Sequence, residues 1–72
     1  MSEAAIEYIL SRIVKKANDA LEESDQNSND DFFKGRKFAY YEILDTIKNE
    51  LIIREQDLKE FGLDIDLEET FL

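Results

Sequence analysis

The chain reads as all-α: a two-helix antiparallel hairpin followed by a short acidic C-terminal segment. Three observations predict this class. Apolar residues recur at steps of three and four along two long stretches, the period of a helix face. Proline is absent from the 72 residues and only two glycines occur, so few positions favour a break. The polar stretch ESDQNSNDD, Glu23 to Asp31, divides one periodic run from the other.

Helix 1 is expected from about Ser2 to about Glu23. Ser2 is a suitable N-cap, since its hydroxyl can accept from an N–H of the first turn. Ile6, Ile9, Leu10, Ile13, Ala17, Ala20 and Leu21 form one apolar face, with Val14 at its edge. Arg12, Lys15, Lys16, Asp19, Glu22 and Glu23 fall outside it. A loop over about 24–30 follows.

Helix 2 is expected over about 31–61, capped by Asn29 or Asp30, with further acids where the helix macrodipole favours them. Its main stripe is Phe32, Phe33, Tyr40, Ile43, Leu44, Ile47, Leu51, Leu58 and Phe61. Gly62 suits the left-handed residue after the helix end, Leu63 the apolar contact that accompanies such a cap, and Lys59 the last turn. Gly35 interrupts the start. Either the helix begins only there, or the glycine admits close approach of helix 1.

The tail, 62–72, reads two ways. Leu63, Ile65 and Leu67 alternate with acids as in a strand, yet an isolated strand has no partner. A helical turn is the favoured reading: Asp66 caps it, Glu69 stands three residues on, and Leu67 and Phe71 share a face at i and i+4.

One domain at most fits 72 residues, near the size at which a single core barely offsets chain entropy. With no Cys and no His, disulfides are excluded and zinc or iron sites disfavoured, which leaves oligomerisation as the aid to stability. Pairing of two hairpins into a four-helix bundle is the expected dimer. The formal charge of −9 opposes binding to nucleic-acid phosphates and anionic lipid. No apolar run is long enough to span a membrane, and Glu3 and Glu7 stand where a signal peptide needs cations, so a cytoplasmic protein is expected.

FFKGRKFAYYEIL, Phe32 to Leu44, mixes aromatics with cations as single-strand binding surfaces do. The helical wheel splits them. Phe32, Phe33 and Tyr40 belong to the main stripe, whereas Phe38, Tyr41 and Ile52 lie on a second stripe that a two-helix hairpin has no place to bury. Tyr8 is a similar outlier on helix 1. The expected interaction surface is therefore Tyr8, Phe38, Tyr41, Ile52, Leu63, Ile65, Leu67 and Phe71. Hairpin closure is expected to gather Lys15, Lys16, Arg36 and Lys37 into a basic patch on which an acidic tail could dock. Arg36 and Arg54 fall on the apolar face, their guanidinium groups snorkelling at its edge or pairing with a carboxylate of another helix.

Composition excludes a Cys nucleophile or a Ser–His pair. Asp19 with Glu22, and Glu42 with Asp45, are acidic pairs at i, i+3, a pattern that resembles the paired helical motifs with which all-α nucleotide pyrophosphohydrolases of the MazG type hold magnesium. That resemblance implies magnesium-dependent nucleotide hydrolysis. The chain departs from the family by lacking the full double motif and the remaining helices, and such pairs arise by chance when 18 of 72 residues are acidic. Asp64, Asp66 and Glu68 imitate the start of a calcium loop, but Glu69 occupies the place of the required glycine. No catalytic, cofactor-binding or metal-binding residue is assigned, and no small-molecule substrate is indicated. The segment GRKFAYYEIL resembles small bacterial or mobile-element proteins, without implying a mechanism. The expected function is that of an acidic protein–protein interaction module, self-associating or bound to another protein, with an acidic mimic of DNA as the alternative.

Overall fold

A computed structural model describes residues 2–72, whose regular secondary structure is helical throughout. Helix α1 spans Glu3–Gln26 and α2 spans Asp31–Ile53; a 3-10 turn, Leu58–Phe61, and a short helix α3, Leu67–Phe71, follow. The hairpin and the helical tail turn agree with the sequence reading.

The caps account for the helix starts. Ser2 accepts the Ala5 N–H at 3.1 Å, and Asp30, rather than Asn29, caps α2 by accepting the Phe32 N–H at 2.9 Å. Helix α1 runs to Gln26, three residues past the expected end, because Asn27 closes it: its backbone N–H reaches the Glu23 and Ser24 carbonyls, and its side-chain amide donates to the Glu23 carbonyl at 2.8 Å. Exposed polar residues such as Glu and Gln extend a helix readily. Helix α2 begins at Asp31, ahead of Gly35, and nothing lies within 4 Å of where a Gly35 Cβ would stand. Neither explanation offered for that glycine holds.

Helix α2 ends at Ile53 and not near Phe61. The turn is made without glycine or proline: Glu55 adopts φ 55, its N–H reaches the Ile52 carbonyl at 3.0 Å, and the Gln56 N–H reaches the Leu51 carbonyl at 2.9 Å. Hairpin register supplies the reason. Arg36 pairs with Glu23, so antiparallel α1 and α2 align residues whose numbers sum to about 59, and Ser2 stands near position 57. A straight helix would carry Leu58 and Phe61 past the end of α1 into solvent. Turning at Glu55 instead brings Phe61 into the core, 7% exposed.

Gly62 takes the left-handed conformation, φ 72, as expected, but it closes the 3-10 turn rather than α2. The Leu63 N–H reaches the Leu58 carbonyl at 2.9 Å, and Val14 lies 3.8 Å from where a Gly62 Cβ would project. Asp66 caps α3 by accepting the Glu69 N–H at 3.2 Å. The core joins Ala17 of α1 and Leu44 of α2 to Phe61, Leu63, Leu67 and Phe71 of the tail segments. Leu10, Ile13, Val14, Leu21, Tyr40, Tyr41, Ile47, Leu51 and Leu58 pack around it. The tail thus supplies four of these six buried core side chains, and the hairpin alone would have no closed interior.

Candidate interaction surface

The tail lies along one side of the hairpin. Lys48 of α2 donates to the Ile65 carbonyl at 2.5 Å, and Gly62 sits against Val14 of α1. Tyr41 is half-buried there. Burial, then the carboxylates of Asp45, Glu68 and Asp66, push its phenol above the ordinary value of 10.0.

This arrangement revises the expected interaction surface. Leu63, Leu67 and Phe71 are at most 4% exposed inside the chain's own core and are unavailable to a partner. Tyr41 belongs mostly to the tail contact. Phe38, which stacks on Tyr41 with ring centroids 5.9 Å apart, stays half-exposed, as do Ile52 and, at the margin, Ile65. Tyr8 stands out on α1, exposed and apart from the others.

What the sequence reading missed is on the main stripe. Phe32 is 70% exposed and Ile43 45%, although both belong to the main apolar stripe of helix 2; Ile9 on α1 is 45% exposed. The physical reason is geometric. At about 100° per residue, Phe32, Arg36 and Ile43 lie within about 40° of one another on α2, and more than 100° from Tyr41 and Lys48, which face the tail. On α1, Ile9, Lys16, Ala20 and Glu23 similarly turn away from Val14. A three-layer body would bury both sides of the hairpin, but the tail covers only one.

The four cations do not gather into a patch. Lys15 pairs with Asp19 at 3.3 Å on its own helix, and Arg36 pairs with Glu23 across the hairpin while its guanidinium carbon lies 5.7 Å from the centre of the Tyr40 ring. The register sets Lys15 and Lys16 beside positions 43 and 44, about seven residues or roughly 10 Å along the axis from Arg36 and Lys37. The two pairs of cations would meet only if the hairpin folded about residue 26, midway between them, and the observed loop, between Gln26 and Asp31, is centred nearer 28. Lys16 and Lys37 are in no ion pair among the described residues. Arg36 pairs with another helix, one of the two roles expected of it, whereas Arg54 pairs with Glu50 of its own helix at 3.4 Å.

The acidic pairs remain separate. Among the described residues no three potential ligands of the His, Cys, Asp and Glu type converge on a point that would hold a metal ion. Asp19 is engaged by Lys15. No described helix is long and apolar enough to cross a membrane. The chain matches no family model, no curated protein and no solved structure.

Proposed function

We propose that this protein is a small acidic α-helical interaction module that works as a homodimer and catalyses no reaction. The observation that carries this reading is the open side of the hairpin, where Ile9, Phe32 and Ile43 stand exposed beside the half-buried Ile13, Tyr40 and Ile47. Exposed apolar side chains gathered on one side of a small body, here with Arg36 and Glu50 between them, mark contact sites for other proteins. A body of 72 residues also gains more than a larger one from covering such a face. The absence of cysteine fits a cytoplasmic setting, because small secreted domains lean on disulfides. Light scattering across a dilution series, at low and high salt, tests the reading. A salt-resistant dimer is expected, and a folded monomer at every concentration would sink the homodimer.

A second reading rests on a separate observation. Asp25, Asp30 and Asp31 near the loop and Asp64, Asp66, Glu68 and Glu69 in the tail are all exposed, with no basic partner within ion-pair distance among the described residues. Such an array suits an acidic mimic of nucleic acid that occupies a DNA-binding protein. Pull-downs at low salt that yield no nucleic-acid-binding protein would eliminate it.

A further inference from the structure

The groove that receives the tail is longer than the tail. From Lys48, which donates to the Ile65 carbonyl, α3 runs along α2 toward the interhelical loop, and Phe71 and Leu72 end beside Lys34, Lys37 and Phe38. There a cavity of about 340 Å³ continues the groove between the last turn of α1, at Ser24, and the first turns of α2. We infer that this loop end of the groove is a docking site for an acidic peptide segment of another protein, which sets one large apolar side chain against Phe38 and its carboxylates against Lys34 and Lys37. The site is separate from the open side of the hairpin and stands whether or not that side pairs two copies.

Three observations select this occupant. The first is the tail, which shows what the groove accepts. It lays Leu67 and Phe71 inward, at most 4% exposed, and keeps Glu68 and Glu69 outside. From Phe38 back to the start of α2 at Asp31 the groove runs on for seven residues of helix, roughly 10 Å, the span of about three extended residues. Phe38 is 48% exposed there, its ring stacked on Tyr41, so an apolar side chain has an aromatic wall left to cover.

The second is charge. Lys34 and Lys37 stand one turn apart on α2 and are in no ion pair among the described residues. Against them the cavity sets one acid, Asp25, so its lining is cationic in a chain of net charge −9. A few carboxylates are attracted locally, whereas a polyphosphate chain that overran the cavity would meet the acids of the loop and the tail on either side.

The third is Ser24. It is 4% exposed, its hydroxyl makes no hydrogen bond with the described residues, and it is not sealed off, so it opens on the cavity. Packing alone does not call for it: Ala20 and Ala17, one and two turns earlier on the same face of α1, are buried without a polar atom. A hydroxyl held there offers a donor and an acceptor to a peptide backbone.

The test is an NMR titration of the isotope-labelled full chain with an unlabelled peptide, DLEETFL, which copies residues 66–72 and so has the chemistry that the groove already takes. Amide signals of Ser24, Lys34, Lys37 and Phe38 are expected to shift saturably while those of Leu63 and Leu67 stay in place. Lys34→Glu combined with Lys37→Glu, and separately Phe38→Ala, should each weaken binding about tenfold or more with unchanged circular dichroism. Lys59→Glu, at an exposed cation near the opposite end of the hairpin, should leave it within about twofold. Replacing the peptide's Leu and Phe by Ala, or its acids by their amides, should also weaken binding about tenfold or more. Shifts centred on Leu63 and Leu67 would mean that the peptide displaces α3, and they overturn the site. Undiminished binding of the alanine peptide, or an equal loss in Lys59→Glu, reduces the contact to unspecific charge and overturns it as well. A short oligothymidine that shifts the same signals more strongly assigns the site to nucleic acid instead, and a wild-type chain with no saturable shift overturns the inference outright.

Discussion

Phe71 and Phe32 are the same residue type in opposite circumstances, and truncating each to alanine tests the central feature of the fold. Phe71 is 0% exposed and Phe32 is 70% exposed. Losing a fully buried Phe removes about 2–3 kcal/mol of transfer free energy and leaves a cavity, and such substitutions together cost about 3–5 kcal/mol. At about 0.05–0.15 kcal/mol per residue, 72 residues give a total stability of roughly 4–11 kcal/mol. Phe71→Ala therefore removes a large share of it. With a urea dependence near 1 kcal/mol per M for a chain this small, the midpoint is expected to fall by about 3 M, or the variant to be unfolded without urea. Phe32→Ala is expected to change monomer stability by no more than about 0.5 kcal/mol. Any larger loss should scale with protein concentration, as a contact between copies must. The assay is urea unfolding followed by circular dichroism at two concentrations tenfold apart. If Phe71→Ala lowers the midpoint by less than 1 M, the tail is not the closing layer of the core, and the arrangement described above fails with it.

Gly35→Ala is expected to stabilise the chain by about 1 kcal/mol, raising Tm by about 4–8 °C, because the position is interior to α2 and open space surrounds the missing Cβ; thermal melting checks it, and no gain would mean that the glycine has a role in another conformation. Tyr41 is held protonated by its surroundings, so its folded pKa lies above the unfolded value of 10.0 and stability is intact below pH 10 and falls as pH rises through the folded value. Melting between pH 8 and 11 should show this loss in the wild type and less of it in Tyr41→Phe. The Arg36–Glu23 pair has side chains 33% and 43% exposed, so Glu23→Gln is expected to cost less than about 1 kcal/mol, diminishing further in salt; a loss of several kcal/mol in denaturant titrations would show that the pair organises more than the register.

Much of the hairpin was legible because its signals are local. Ser2 and Asp30 are side chains that satisfy N–H groups within a few residues, and Asp66 announces α3 in the same way. Gly62 has the one conformation that favours glycine strongly. The end of α2 was not legible by such means, since Arg54–Asp57 contains no breaker; it follows from the length of α1, which runs out near position 57. That arithmetic was available once the loop was placed. The tail's contribution to the core had a signal too, in the i, i+4 spacing of Leu67 and Phe71, whereas Leu63 lies outside α3 and its burial follows from the turn at Gly62. The candidate surface was misread for a related reason. A helical wheel ranks faces by how apolar they are, and the choice of which face the tail covers depends on where the chain returns after Glu55.

That return has a topological consequence. Glu55 holds a left-handed backbone that costs a non-glycine residue about 1–2 kcal/mol, maintained only because Leu58, Phe61 and the residues beyond find their sites on the same molecule. Straightening this one joint would relieve the local penalty, and it would carry Leu58, Phe61 and the residues beyond away from those sites. Glu55 is thus the single joint that returns the tail to its own hairpin and closes the core within one chain. Glycine there removes the penalty and tightens the closure of the core, whereas a change that straightens the joint opens it.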